Sequence, residues 1–118
     1  MQNFKELQIW KKAIDLGKKI YEISASFPSD EKFGITSQMR RCVVSISSNI
    51  AEGSGRRTDK DFSSFLSYSL GSQYELESQL IICQEIGLIS EPSCNPIIDE
   101  LKEIQKMTFG LIEKLSKS

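Results

Sequence analysis

Gly53-Ser54-Gly55-Arg56-Arg57, with Lys60 close behind, is the stretch of this chain whose residue types come nearest to a ligand-binding element. A glycine-rich turn entering a helix can hold an anion on free backbone N–H groups at the positive end of the helix dipole. The spacing departs from GxxxxGK followed by Ser or Thr, and the segment follows a helical pattern rather than a strand, so it is not a P-loop. Two readings stand. Either this is an interhelical turn with solvated arginines, or Arg56, Arg57 and Lys60, joined by Arg40 and Arg41, contact the phosphates of a nucleic acid. Such contacts position a partner and carry no base readout.

Other chemistry-bearing residues are sparse. The sequence has no histidine, which removes Ser-His-Asp and Cys-His nucleophile systems, HExxH zinc sites and the ExxH pairs of bundle di-iron proteins. Cys42, Cys83 and Cys94 show no CxxC spacing, and Cys42 and Cys83 fall on apolar stripes, where a free thiol behaves as a small core residue. Glu75 and Glu77 lie about 200° apart on a helix and cannot share a metal unaided. Asp99 and Glu103 are one turn apart, a spacing common on solvated faces. The expectation is a protein with no catalytic residues, no metal and no cofactor; it is not read as an enzyme.

The elements that must position these groups come from a chain of 118 residues, enough for one domain to bury a core without disulfides or metals. No apolar run approaches the roughly 20 residues that span a bilayer. The opening Met1-Gln2-Asn3-Phe4-Lys5-Glu6 lacks a signal peptide's apolar stretch, so the expected location is the cytoplasm. Net charge is −1, but it is unevenly spread. Residues 32–60 hold six basic side chains against two acids, and residues 61–101 hold seven acids with no Lys or Arg.

Residues 4–26 read as a first helix. Leu7, Trp10, Ile14, Gly17 and Tyr21 recur at alternating steps of three and four, and Ile9, Ala13, Leu16, Ile20, Ile23 and Phe27 repeat the pattern. Together the stripes cover about 200°, well beyond the ~100° of an ordinary surface helix. So wide an apolar face needs more than one neighbour, from the same chain or from another subunit. Pro28 ends the helix near Ser26.

The second helix spans residues 34–52, with Ile35, Met39, Cys42, Val43, Ile46 and Ile50 on its core face. Arg41, Ser45, Ser48 and Glu52 take the opposite side, and Gly53-Ser54-Gly55 is expected to close the helix through a left-handed glycine. For residues 58–86, Thr58 is the N-cap, with Asp61 three positions on. The seam runs Phe62, Leu66, Ser69, Gln73, Leu76, Leu80, Cys83, and Gly87 is the stop signal. The fourth helix begins between Ser90 and Pro96 and covers about residues 94–116, with Asn95-Pro96 a good N-cap and first-turn pair and a stripe of Ile97, Leu101, Ile104, Thr108, Leu111 and Leu115. No segment alternates as a strand does. Short connections then give an all-α, antiparallel up-and-down four-helix bundle over residues 1–118.

Several segments carry a resemblance. They are the run from Phe4 through Leu7, Trp10 and Ala13, Thr36-Ser37-Gln38-Met39-Arg40-Arg41, Ser45-Ile46-Ser47-Ser48-Asn49-Ile50-Ala51-Glu52-Gly53, Gly55-Arg56, Leu70-Gly71-Ser72 and Glu75-Leu76-Glu77. Together they resemble the small bacterial four-helix bundle family often encoded within intervening sequences of 23S ribosomal RNA genes. Asn49-Ile50-Ala51-Glu52-Gly53 is the most specific part of the likeness. The resemblance implies a homopentamer, which would give the wide apolar surface of the first helix a use.

That family is also similar to the accessory variability determinant of diversity-generating retroelements, a pentameric bundle partnered with reverse transcriptase and RNA. By that analogy a basic surface binds RNA. Within the motif, Asn49, Glu52, Gly53 and Gly55 read as structural: Asn49 bonding to backbone, Glu52 pairing with an arginine, Gly53 closing the helix. They could alternatively form a functional cluster. The expected function is a non-catalytic, self-assembling scaffold that contacts RNA or DNA through Arg40, Arg41, Arg56, Arg57 and Lys60. The alternative is a protein-interaction module using the acidic residues 61–101 or an apolar groove between subunits.

Overall fold

Asn3 sets the first turn. In a computed structural model describing residues 3–117, its Oδ1 accepts from the Lys5 N–H at 3.1 Å and caps a 3-10 turn at Phe4–Glu6. Part of the opening segment (Met1 and Gln2), like Ser118, lies outside the described residues. Leu7 is extended (φ −72°, ψ 128°), so α1 begins at Gln8 and runs Gln8–Ser24 rather than over 4–26. The break folds Phe4 back edge-on against Trp10, with centroids 5.1 Å apart. Ile9, Ala13, Leu16, Ile20 and, past the helix end, Phe27 are buried. The second stripe differs: Leu7, Trp10, Ile14 and Gly17 are half-buried and Tyr21 is 45% exposed.

The second helix, α2, spans Ile35–Ser54 and carries straight through Gly53. This corrects the expected left-handed closure. A Cβ on Gly53 would lie 2.6 Å from Phe65 Cβ and 3.0 Å from Phe62 Cδ1, so this glycine lets α2 and the following helix approach closely. Gly55 has φ −86°, and the end is satisfied by Gly55 N–H to Glu52 C=O (3.3 Å) and Arg56 N–H to Gly53 C=O (3.0 Å). Ser45, expected on the outer side, instead donates to Cys42 C=O and lies 2.6 Å from Ser72 Oγ on the next helix.

That helix, α3, spans Asp59–Glu85. Thr58 Oγ1 accepts from the Asp61 N–H at 3.1 Å, and every residue of the expected seam from Phe62 to Cys83 is buried. Gly87 (φ +82°) stops it: Leu88 N–H reaches Cys83 C=O at 2.8 Å and Gly87 N–H reaches Gln84 C=O at 3.2 Å, the paired bonds of a Schellman closure. The last helix, α4, spans Glu91–Ser116, so Pro96 lies inside it instead of opening it. Ser93 and Cys94 N–H groups bond to Ser90 C=O at 3.1 and 2.9 Å, building a first turn upstream of Asn95. Proline is tolerated this near the start because the bond it removes is one of the first.

Among the described residues there are four α-helices and no strand. α2 packs on α1 and α3, and α4 packs on α3 and α1, the cyclic order of an up-and-down bundle measuring 46 × 23 × 20 Å. All four helices supply one continuous apolar core. A buried polar seam crosses it: Gln73 Nε2 donates to Ser69 Oγ (3.2 Å) and Thr108 Oγ1 (3.1 Å). Those hydroxyls donate onward to Ile46 C=O (2.9 Å) and Ile104 C=O (2.7 Å).

Candidate nucleic-acid interface

The thiols are placed for packing. Cys42 Sγ donates to Ser72 C=O at 3.0 Å and Cys94 Sγ to Leu80 C=O at 3.6 Å, while Cys83 Sγ sits 3.6 Å from Met39 Sδ. Burial, reinforced by the Glu75 charge, pushes the Cys42 thiol up to about 12. Burial also raises Cys83, to about 11, and Cys94. A thiol held protonated is a poor nucleophile and a poor metal ligand.

The acids weighed as metal ligands are dispersed. Glu77 accepts from Gln105 Nε2 at 2.7 Å, Glu75 from Gln79 Nε2 at 3.3 Å, and Glu103 pairs with Lys12 at 2.8 Å. Among the described residues no three His, Cys, Asp or Glu side chains gather in metal-holding geometry.

The five basic candidates do not form one patch. Arg40 and Arg41 stand near the start of α2, and Arg56, Arg57 and Lys60 lie where α2 gives way to α3. At 1.5 Å per residue, Arg41 and Arg56 are about 22 Å apart along the bundle. Arg40 also has structural work. Its Nε donates to Ser24 Oγ (2.9 Å), its Nη2 to Tyr21 C=O (3.3 Å), and its guanidinium lies 4.7 Å over the Tyr21 ring. It thereby closes the carbonyl end of α1 and covers part of the second stripe. Arg41 donates to Ser37 Oγ at 2.8 Å on the exposed side of α2.

At the other end, Arg56 pairs with Glu52 at 3.3 Å and stacks 4.5 Å over Phe65. Arg57 and Lys60 are exposed. The motif residues behave as local structure: Asn49 Nδ2 donates to Ser45 C=O at 2.9 Å, Glu52 holds Arg56, and Gly53 permits the α2–α3 contact.

Charge reading by chain segment missed three residues. The up-and-down order carries the N-terminal 3-10 turn, which contacts α2, and the C-terminal end of α4 to the same end of the bundle as the α2–α3 turn. Lys5, Lys114 and Lys117 therefore lie toward the same end of the bundle as Arg56, Arg57 and Lys60, interspersed with Glu6, Glu52, Asp59, Asp61 and Glu113. The signal was present in the topology: in an antiparallel bundle, the first helix start and the last helix end share a pole with the middle turn.

A second surface lies between α3 and α4. It is a groove of about 790 Å³, walled by Tyr74, Ser78, Ile81 and Ile82 on one side and by Lys102, Lys106 and Phe109 on the other. A smaller cleft of about 260 Å³ between α2 and α3 is lined by Gln38, Arg41, Cys42, Ser45 and Glu75. No helix among the described residues is long and apolar enough to cross a membrane.

Comparison with known proteins fits this architecture. No curated protein matches the chain at a significant level. A crystal structure of a protein of unknown function from the S23 ribosomal protein family of Bacteroides thetaiotaomicron superposes with a TM-score of 0.80 at 22% identity. The match covers 88% of this chain and 97% of that one, and at this identity it shows the fold. The family model described as 23S rRNA-intervening sequence protein matches residues 5–110. With nearly its whole length inside that match, the chain belongs to the 23S rRNA-intervening sequence protein family.

Proposed function

We propose that the protein is a non-catalytic, cytoplasmic bundle that assembles with copies of itself, as a pentamer, and contacts the phosphate backbone of RNA at one pole. What supports the RNA reading is that the bundle's topology brings Lys5, Arg56, Arg57, Lys60, Lys114 and Lys117, from separate parts of the chain, toward one end, where they outnumber the acids there by one. The wide stripe on α1, of which Tyr21 remains 45% exposed, supports the self-assembly reading. In an assembly whose axis runs parallel to the bundles, every basic pole points the same way. Weak single contacts then act together, because each bound subunit raises the effective concentration of the next. A chain of net charge −1 can bind a polyanion by this route.

Arg40 drops out of the proposed contact, since its Nε and Nη2 are tied to the end of α1. The test is binding to a structured RNA hairpin across a salt series. Phosphate neutralisation releases counterions, so affinity falls steeply with salt. Reversing Arg57 and Lys60 to Glu abolishes binding if the pole is the site. Binding that ignores both changes, or no binding at low salt, sinks the reading. The alternative, a protein-interaction module, draws on the apolar α3–α4 groove. A protein partner recovered after nuclease treatment, and lost on substitution in that groove, would favour it.

A further inference from the structure

Arg41 and Glu75 line the cleft of about 260 Å³ between α2 and α3 from opposite helices, with Gln38, Cys42 and Ser45 completing its wall. We propose that this cleft binds a small zwitterion of the α-amino-acid kind, its carboxylate on the Arg41 guanidinium and its ammonium on the Glu75 carboxylate. The proposal is independent of the RNA reading, because Arg41 lies about 22 Å along the bundle from Arg56 at 1.5 Å per residue.

The two charges are held without meeting. Arg41 Nη2 donates to Ser37 Oγ at 2.8 Å, and Glu75 accepts from Gln79 Nε2 at 3.3 Å, each within its own helix. Neither belongs to an ion pair among the described residues. Their own helices offer no partner: the one acid of α2, Glu52, is about three turns from Arg41, and the one base of α3, Lys60, is about four turns from Glu75. The floor between them is fixed, because Cys42 Sγ donates to Ser72 C=O at 3.0 Å and Ser45 Oγ lies 2.6 Å from Ser72 Oγ. The Glu75 charge helps to raise the Cys42 thiol, which sets that carboxylate beside the floor.

Size and charge together select the ligand. A cleft below the roughly 300–1,000 Å³ of drug-sized sites takes a molecule of few heavy atoms. A simple anion would answer Arg41 and be repelled by Glu75, and a simple cation the reverse. A zwitterion answers both. A guanidinium takes a carboxylate through two parallel N–H bonds, and an ammonium brings three donors to the other end. There Gln79 Oε1, on the amide that holds Glu75, is buried without a partner among the described residues, a second acceptor beside the carboxylate.

Isothermal titration calorimetry of the full chain with each of the protein L-amino acids tests it, with acetate and methylamine as single-charge probes. At least one amino acid is expected to bind saturably at millimolar concentration, with acetate and methylamine weaker by about tenfold or more. Arg41 and Glu75 are both exposed, so Arg41→Gln and Glu75→Gln keep the circular dichroism spectrum of the wild type. Each is expected to weaken amino-acid binding by about tenfold or more, the loss of one charge-assisted contact. A folded wild type that binds no amino acid overturns the proposal. So does acetate or methylamine binding as tightly as the best amino acid, and so does an affinity unchanged in either variant.

Discussion

At Gly53 and Gly17 one substitution has opposite consequences. Gly53→Ala forces a Cβ to 2.6 Å from Phe65 Cβ, an atom too near its backbone to move cheaply, so α2 and α3 must separate. Overpacking of this kind costs about 1–3 kcal/mol, read as a lower urea midpoint. Gly17→Ala meets nothing within 4 Å and removes a helix-interior glycine, so it stabilises by about 0.5–1 kcal/mol. The sequence marks both as glycine, and only the packing of the next helix, through Phe62 and Phe65, separates them. That is why Gly53 reads locally as a helix stop.

Cys42 and Cys83 behave in the opposite way, since their places on apolar stripes made burial legible, whereas Cys94, assigned to no stripe, is buried as well. Cys42, held at about 12, makes the folded state bind a proton that the unfolded state releases from about pH 8.5 upward. Its contribution to stability is therefore present below that range and is lost as pH rises toward 12. In Cys42→Ala, unfolding free energy falls less steeply between pH 9 and 11 than in the wild type. Parallel pH profiles would contradict the assignment.

Among the elements, α3 was readable almost residue for residue, because its cap, its seam and its Gly87 stop are encoded within the helix. Thr58→Ala removes the acceptor for the Asp61 N–H and is expected to cost about 1 kcal/mol in urea unfolding. The start of α1 and the cap of α4 were misread for a shared reason. Asn3 and Ser90 build short hydrogen-bonded turns whose geometry the apolar period does not record. Arg40 is the element-scale lesson for the site: adjacent in sequence to Arg41, it was grouped with the phosphate contacts, yet it ties α2 to the end of α1. Arg40→Ala is expected to lower stability by about 1–2 kcal/mol, having lost hydrogen bonds to Ser24 and Tyr21. RNA binding by the folded variant should be unchanged. A loss of binding without a loss of stability would return Arg40 to the interface.

At the scale of the whole molecule, four-helix topology followed from helix count and short connections. The distribution of cations did not, because Lys5, Lys114 and Lys117 are far from Arg57 in sequence and come to the same end of the bundle only through its topology. The exposed α3–α4 face was likewise hidden: one stripe of α3 satisfies its own core, and its outer apolar residues become conspicuous only when the other three helices are in place. Both surfaces make best physical sense on a subunit of something larger. The decisive measurement is the mass of the purified chain in solution at micromolar concentration. The account requires a discrete species at a multiple of 13.4 kDa, about five times that value for the pentamer. A stable monomer at 13.4 kDa would contradict it.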